Sequence, residues 1–300
     1  MGYLTAVQPM DHGVVSGLAG ALTARYPFLC AAPIGRSVLG RNILGMTLGG
    51  GKDRVLMAAA FHGQEWMTSL ICMRLCEELC RSLATERCLA GWDIRRAMSG
   101  RSVVFVPMVN PDGVEIALRG SQAAGSNQTA VADAGGDIHG RWQANANGVD
   151  INHNFNAGWQ QLQEAEQEKG ITGFSARQWG GPQPESEPET QALVGLCRRA
   201  SFRHVVALHS QGEEIYWQYG ERTPAVSELM AHVMASASGY AVSSPTGLAS
   251  HGGFKDWFIQ AYGRPGFTVE LGKGVNPLPL CAFSKIYEKA REMLLVSLFL

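Results

Sequence analysis

His62 and Glu65 stand three residues apart in LMAAAFHGQEWMTSL (56–70), between a run of small apolar residues and a helix-like segment. An imidazole and a carboxylate so placed can share a divalent cation, the carboxylate offsetting part of its charge. Other apolar runs also end in strongly polar residues. Asn110 and Asp112 follow SVVFVPMV, His209 closes FRHVVALHS, and Glu270 closes PGFTVEL. Two histidines and a carboxylate, with one coordination position left for water, make a catalytic zinc site that acidifies water and polarises a carbonyl. A carboxylate outside the ligand set can then take the proton, and Glu270 is the candidate general base. Asp112 is the candidate to accept a hydrogen bond from the second ring nitrogen of His62 and so fix its tautomer. Taken singly, each residue has a plain alternative: a chance H-x-x-E, a hydrogen-bonded His209, an ion-paired Glu270. The joint arrangement is what argues for a metal site.

The segments between these residues must bring them together. DRVLMAAAF (53–61), SVVFVPMV (102–109), FRHVVALHS (202–210) and PGFTVEL (265–271) read as buried strands. EWMTSLICMRLCEELCRSLA (65–84), ESEPETQALVGLCRRA (185–200), AVSELMAHVMASASG (225–239, with Gly239 as its stop) and FSKIYEKAREMLLVSLFL (283–300) read as helices. GRSVLGRNILGMTLGGGKD (35–53) reads as an antiparallel pair. The expectation is an α/β fold with a mixed, twisted sheet sandwiched by helices. It forms one domain over 1–300, with a leading helix and hairpin packed on it. In open α/β sheets ligands gather beyond the carboxyl ends of the strands, where His62, Asn110, His209 and Glu270 fall. The Gly-, Ala-, Asn- and Gln-rich stretch 119–149 reads as a long loop.

Bulk composition narrows the partners. Charged residues are 17% and net charge is −1, with no basic stripe, so neither nucleic acid nor an anionic membrane is an expected partner. No apolar run has membrane-spanning length, and MGYLTAVQPMDHGVVSGLAG lacks a basic region leading into an apolar one, from which a cytoplasmic location is expected. The seven cysteines fit a reducing compartment. Cys72, Cys76 and Cys80 share a helical face as buried thiols. Nothing in the sequence indicates an oligomeric state.

Six motifs, in order, resemble the zinc carboxypeptidases of the carboxypeptidase A type: HGQE, NPDG (110–113), GVDINHNF (148–155), ALHS with His209, GGFKDW (252–257) and FTVEL with Glu270. The resemblance implies an eight-stranded mixed sheet and one zinc ion per chain, held by His62, Glu65 and His209, with Glu270 as base and proton shuttle. Several positions depart from that family. Its carboxylate-clamping arginine is His153 here, beside Asn152. Its oxyanion arginine is Gln143, the arginine inside H-x-x-E is Gln64, and its mobile tyrosine falls at Leu248. A guanidinium fork suits a carboxylate as neither imidazole nor amide does.

WQANANGVDINHNFNAGW, RQWGGPQPESEPET, LHSQGEEIYW and the stretch from GGFKDW to NPLPL resemble one branch, the γ-D-glutamyl-L-diamino acid endopeptidase I group. That resemblance implies a small murein-derived peptide as substrate, cut at the γ-D-glutamyl bond to meso-diaminopimelate, with Glu213 and Glu214 as candidates to pair with its amine. His251 is a further candidate in the pocket. His139 lies in the long loop, while His12, His204 and His232 read as structural or surface residues. Trp142, Trp159 and Trp217 are candidates to line the crevice. The alternatives are a zinc carboxypeptidase or amidohydrolase of other specificity, or a binding protein that keeps the fold without activity.

Overall fold

The apolar runs of the sequence become the strands of a single sheet in a computed structural model, which describes residues 3–138 and 140–300. His139 lies outside the described residues. In chain order the elements are α1 (His12–Arg25), β1 (Leu29–Arg36), β2 (Asn42–Leu48), β3 (Asp53–Ala59), α2 (Met67–Thr85), α3 (Ile94–Ala97), β4 (Arg101–Val106), α4 (Pro111–Arg119), α5 (Gln128–Asp133), α6 (Trp159–Glu168), α7 (Pro188–Arg199), β5 (His204–His209), β6 (Glu214–Tyr216), α8 (Val226–Ser238), β7 (Ala241–Ser243), α9 (Phe254–Tyr262), β8 (Gly266–Glu270) and α10 (Phe283–Ser297).

The eight strands lie in the order β1-β2-β4-β3-β5-β8-β6-β7. The central four, β4, β3, β5 and β8, are parallel, and β1 and β2 extend one side antiparallel. On the other side β6 is antiparallel to β8 and carries β7 parallel to itself. The central strands are apolar at successive positions because both faces are covered. Period-two alternation divides them cleanly. Val55, Met57, Val103, Phe105, Val206 and Leu208 face a core shared with α1, α2, α8 and α10. Leu56, Ala58, Val104, Val106, Val205 and Ala207 face a second core with α7 and α9. The expected eight-stranded mixed α/β sheet between helices is therefore present.

Local chemistry sets the element ends. Asp11 caps α1, its Oδ1 accepting from the Val14 amide at 2.7 Å. Gly239 ends α8 at φ 74°. Cys72, Cys76 and Cys80 are free and buried on the core face of α2, as their spacing suggests. The antiparallel pair differs from expectation: its first arm begins at Leu29, and residues 37–41 form the turn. The stretch 119–149 is not a bare loop. It carries a 3₁₀ segment, Ser121–Asn127, and α5, packed through Val131, Trp142 and Ala144. The helices α3, α4, α6 and α9 and the strands β6 and β7 also go beyond the expected elements. Among the described residues no helix is long and apolar enough to cross a membrane.

Candidate active site and metal centre

β3 ends at Ala59, and Ala60 turns the chain with φ 48°, its amide held by Thr68 Oγ1 at 2.8 Å. Thr68 Oγ1 in turn donates to the Glu65 carbonyl at 2.8 Å. The 3₁₀ turn Gly63–Glu65 follows and aims Glu65 back toward His62. Gly63 is required here, because a Cβ would stand 2.1 Å from the Gly113 carbonyl oxygen. The Gly63 and Gln64 amides donate to the carbonyls of Gln143 (3.0 Å) and Trp142 (2.8 Å), docking this turn on the segment 141–144. Asn110 clamps the same junction: its Nδ2 donates to Phe61 O and Gln143 O, and its Oδ1 caps α4.

Strand register supplies the other two groups. His209 and Glu270 end β5 and β8 as direct partners, beside the end of β3. His62 Nδ1 lies 2.8 Å from Glu65 Oε1, and His209 Nδ1 lies 3.2 Å from Glu65 Oε2. One ligand atom from each of His62, Glu65 and His209 falls within 4.8 Å of the others. The Ser210 amide also donates to Glu65 Oε2. Phe61 stacks on His209, with ring centroids 4.9 Å apart.

The second nitrogen of His62 decides whether this donor set fits a metal. His62 Nε2 is 3.0 Å from Asp150 Oδ1. A carboxylate there holds the ring proton on Nε2 and leaves the Nδ1 lone pair directed at Glu65 and His209. Two imidazole nitrogens and one carboxylate then converge, the set that zinc takes in open catalytic sites. Without a cation, burial disfavours charge on His62, but Glu65 and Asp150 outweigh it and raise its pKa well above the ordinary range, so a proton lies between Nδ1 and Glu65 that a bound metal would displace. Burial works to raise the Glu65 carboxyl, yet the His62 charge and bonds from both histidines bring it down to about 2. Burial lowers His209, keeping its imidazole neutral, the form that binds a metal.

Glu270 faces the same cleft, a cavity of about 700 Å³ that also exposes His62, Glu65, Gln64, Gln143, Tyr216, Arg141 and Arg177. Burial, then repulsion from Glu65, raises the Glu270 carboxyl well above the usual carboxylate range. Glu214 pairs opposite Glu270 across β6 and β8, and its Oε2 accepts from the Tyr216 hydroxyl at 2.6 Å.

One residue expected at the centre is elsewhere. Asp112 makes no contact with His62: it accepts from Ser37 Oγ (2.8 Å), the Leu39 amide (2.8 Å) and Arg41 Nη1 (2.6 Å), and so holds the β1–β2 turn. Asp112 is at the first turn of α4, past the end of β4, and its side chain follows the helix away from the metal turn. Asp150 takes the role instead. The signal was in GVDINHNF, whose aspartate carried no assigned role.

Among the substrate-side candidates, Gln143 lines the cleft and the others do not. His153 is 7% exposed, and its Nδ1 is engaged with the Gln178 carbonyl (3.0 Å) and Glu166 (3.5 Å). Asn152 Oδ1 accepts from the Phe254 amide. Glu213 pairs with Lys289 at 2.9 Å. Glu214, the register partner of Glu270, is bonded to the Tyr216 hydroxyl. Leu248 is buried, and His251 Nδ1 meets the Tyr219 hydroxyl at 3.1 Å. Trp142 is wholly buried, and neither Trp159 nor Trp217 borders the cleft. Sequence reasoning missed Asp150, Tyr216, Arg141 and Arg177. Tyr216 sits on a strand of only three residues, and the arginines lie in loops with no periodicity, so neither gave a spacing signal.

Comparison with known proteins agrees with this geometry. The zinc carboxypeptidase family pattern matches residues 17–295. Gamma-D-glutamyl-L-diamino acid endopeptidase 1 of Lysinibacillus sphaericus is 36% identical over 98% of this chain and 73% of its own length. Bovine thrombin-activatable fibrinolysis inhibitor has the same fold, with TM-score 0.76 at 20% identity, covering 97% of each chain. The murein-tripeptide amidase MpaA of Escherichia coli O157 superposes with TM-score 0.54 at 24% identity, over 88% of this chain and 91% of that one. The sheet that brings His62, Glu65 and His209 to one point is therefore that of a zinc metallopeptidase, and this chain belongs to the zinc carboxypeptidase family.

Proposed function

We propose that the chain hydrolyses the amide bond between γ-D-glutamate and meso-diaminopimelate in a small murein-derived peptide. The observation that carries the reading is the register pairing of His209 with Glu270 in one cleft with His62 and Glu65. It sets a proton acceptor beside a cation-binding triad. The substrate class is supported by the gamma-D-glutamyl-L-diamino acid endopeptidase, which aligns with nearly the whole chain. It is supported further by the cleft itself, which has glutamine at 64 and 143 and keeps His153 out of its lining.

His62, Glu65 and His209 would hold zinc through Nδ1, a carboxylate oxygen and Nδ1. Bound there, zinc supplies Lewis acidity toward water and toward the scissile carbonyl. Asp150 keeps the His62 proton on Nε2. Glu270, at the end of β8 in the same cleft, accepts the proton of the attacking water and returns it to the leaving amine. No side-chain nucleophile is needed, so no acyl-enzyme forms. Gln143 and Gln64 present amide groups to the cleft in place of a guanidinium.

The test is to offer zinc-loaded protein L-Ala-γ-D-Glu-meso-diaminopimelate beside a plain peptide ending in phenylalanine, with chromatography of the products. Release of diaminopimelate from the first peptide is expected. Preference for the plain peptide defeats the proposal.

A further inference from the structure

Arg141 and Arg177 both border the cleft that contains His62, Glu65 and Glu270. Neither guanidinium has a hydrogen-bonding or ion-pair partner among the described residues, and both are exposed. An exposed arginine alone says little, since most are merely solvated. What distinguishes these two is the backbone beneath them. Arg141 precedes Trp142, which is wholly buried and whose carbonyl receives the Gln64 amide of the metal-carrying turn. Arg177 is held from both sides. The carbonyl of Ala176 accepts the amides of Gln143 and Ala144, both at 3.0 Å, and the Gln178 amide donates to Asp150 Oδ2 at 3.0 Å. Asp150 is the residue that orients His62. Two unpaired cations thus project from backbone tied to the candidate ligand turn and to its orienting carboxylate. Guanidiniums with no partner of their own, on backbone held in place, are free to meet an anion with paired N–H donors.

We propose that Arg141 and Arg177 form a carboxylate-binding subsite for the residue that supplies the scissile carbonyl. The proposal rests on the reading of the chain as a γ-glutamyl hydrolase and specifies how that linkage is recognised. Both arginines adjoin Gln143, which by resemblance occupies the position of the oxyanion donor and so lies beside the carbonyl under attack. An ordinary peptide offers no free carboxylate there, because the α-carboxyl of that residue is itself the scissile amide. A γ-linked glutamyl residue keeps its α-carboxylate free, a short methylene spacer away. Charge on the acyl residue is then what the cleft reads, in place of the C-terminal carboxylate that a guanidinium at position 153 would hold.

The test measures calorimetric binding to the zinc-loaded full chain carrying Glu270→Gln, so that bound peptide survives. The probes are L-Ala-γ-D-Glu-meso-diaminopimelate and the same peptide with the glutamyl α-carboxylate amidated. Amidation is expected to raise Kd about tenfold or more, as loss of a charge-assisted contact does. In the same background, Arg141→Gln with Arg177→Gln is expected to erase that difference by weakening the carboxylate peptide alone. Lys273→Gln, an exposed cation near the cleft that instead approaches Glu213, is expected to leave it intact. The proposal is overturned if amidation makes no difference, if the difference survives in the double variant, or if neither peptide binds. Turnover by the unsubstituted protein is scored separately. Cleavage that ignores the arginines leaves the proposed function standing without this subsite. Arginine-dependent binding without cleavage leaves the subsite and removes the proposed function.

Discussion

Replacing Asp150 by Asn separates the orienting carboxylate from the rest of the centre. Asp150 is 2% exposed and accepts three donors: His62 Nε2 at 3.0 Å, the Asn152 amide at 3.1 Å and the Gln178 amide at 3.0 Å. An asparagine has one accepting oxygen and one donating nitrogen in nearly the same volume. If the nitrogen faces Gln178, two donors oppose each other in a buried site. If it faces His62, Nε2 must accept, the ring proton moves to Nδ1, and the atom meant for the metal is blocked. Either way His62 loses a charged partner. Loss of an outer carboxylate of this kind weakens metal binding by about 10–100-fold, equivalent to roughly 1.4–2.7 kcal/mol. The mismatched buried donor costs a further ~1–3 kcal/mol of folding stability in the metal-free protein.

The assay is zinc affinity by competition with a chromophoric chelator, alongside thermal unfolding of the metal-free protein. Asp112→Asn is the control, because that carboxylate is also wholly buried and hydrogen-bonded but serves the β1–β2 turn. It is expected to lose stability by a similar ~1–3 kcal/mol while zinc affinity moves less than about twofold. The reasoning is refuted if Asp150→Asn leaves zinc affinity unchanged, or if Asp112→Asn weakens it equally.

Three further outcomes follow from the same geometry. Glu270→Gln is expected to lower turnover by about 10²–10⁴-fold at unchanged zinc content, read by product formation and metal analysis; persisting turnover would show that the base is another group. Gly63→Ala forces a Cβ to within 2.1 Å of the Gly113 carbonyl and should destabilise the fold by at least ~1–3 kcal/mol, whereas Gly17→Ala on α1, where a Cβ meets nothing within 4 Å, should stabilise it by about 0.5–1 kcal/mol; calorimetric melting compares them. Burial, reinforced by the charge of Asp112, pushes the Glu189 carboxyl up to about 8, so the folded chain binds a proton more tightly than the unfolded one. Its stabilising contribution is complete below the ordinary carboxylate range and declines as pH rises toward 8, by at most about 1.4 kcal/mol per pH unit. Glu189→Gln should flatten that decline, and parallel denaturation curves across the pH range would contradict it.

How much was legible in the sequence differs between strand ends and loops. His62, His209 and Glu270 could be read because each ends an apolar run, and a parallel sheet aligns such ends whatever the distance along the chain. The ligand trio therefore needed only the strands to be right. Asp112 misled because a polar residue just past β4 looks equivalent to His62 just past β3. The difference is Pro111, which starts α4 at once and carries Asp112 toward Ser37 and Arg41. The helix α6 escaped because QQLQEAEQE offers almost no apolar stripe. It buries Leu162 and, unusually, Glu166, which accepts from the Gly180 amide. β6 and β7 have three residues each, too few for alternation to register.

His153 shows why specificity was harder to read than chemistry. At that position a guanidinium would be a ligand clamp, so a histidine there suggested a pocket residue with altered preference. In the structure its ring is turned into the protein, bonded to the Gln178 carbonyl and close to Glu166, which also receives Gly180. Burial opposes its protonation, while Asp150, Glu166 and the Gln178 carbonyl raise its pKa. His153 ties α6 to the same 178–180 segment that holds Asp150 from the other side. A residue that reads as substrate-facing by alignment has become part of the frame. The cations that do face the cleft, Arg141 and Arg177, come from loop positions that no spacing rule selects. Catalytic groups set by strand register stay put when loops diverge, while charge recognition can move to whichever loop the frame holds rigid.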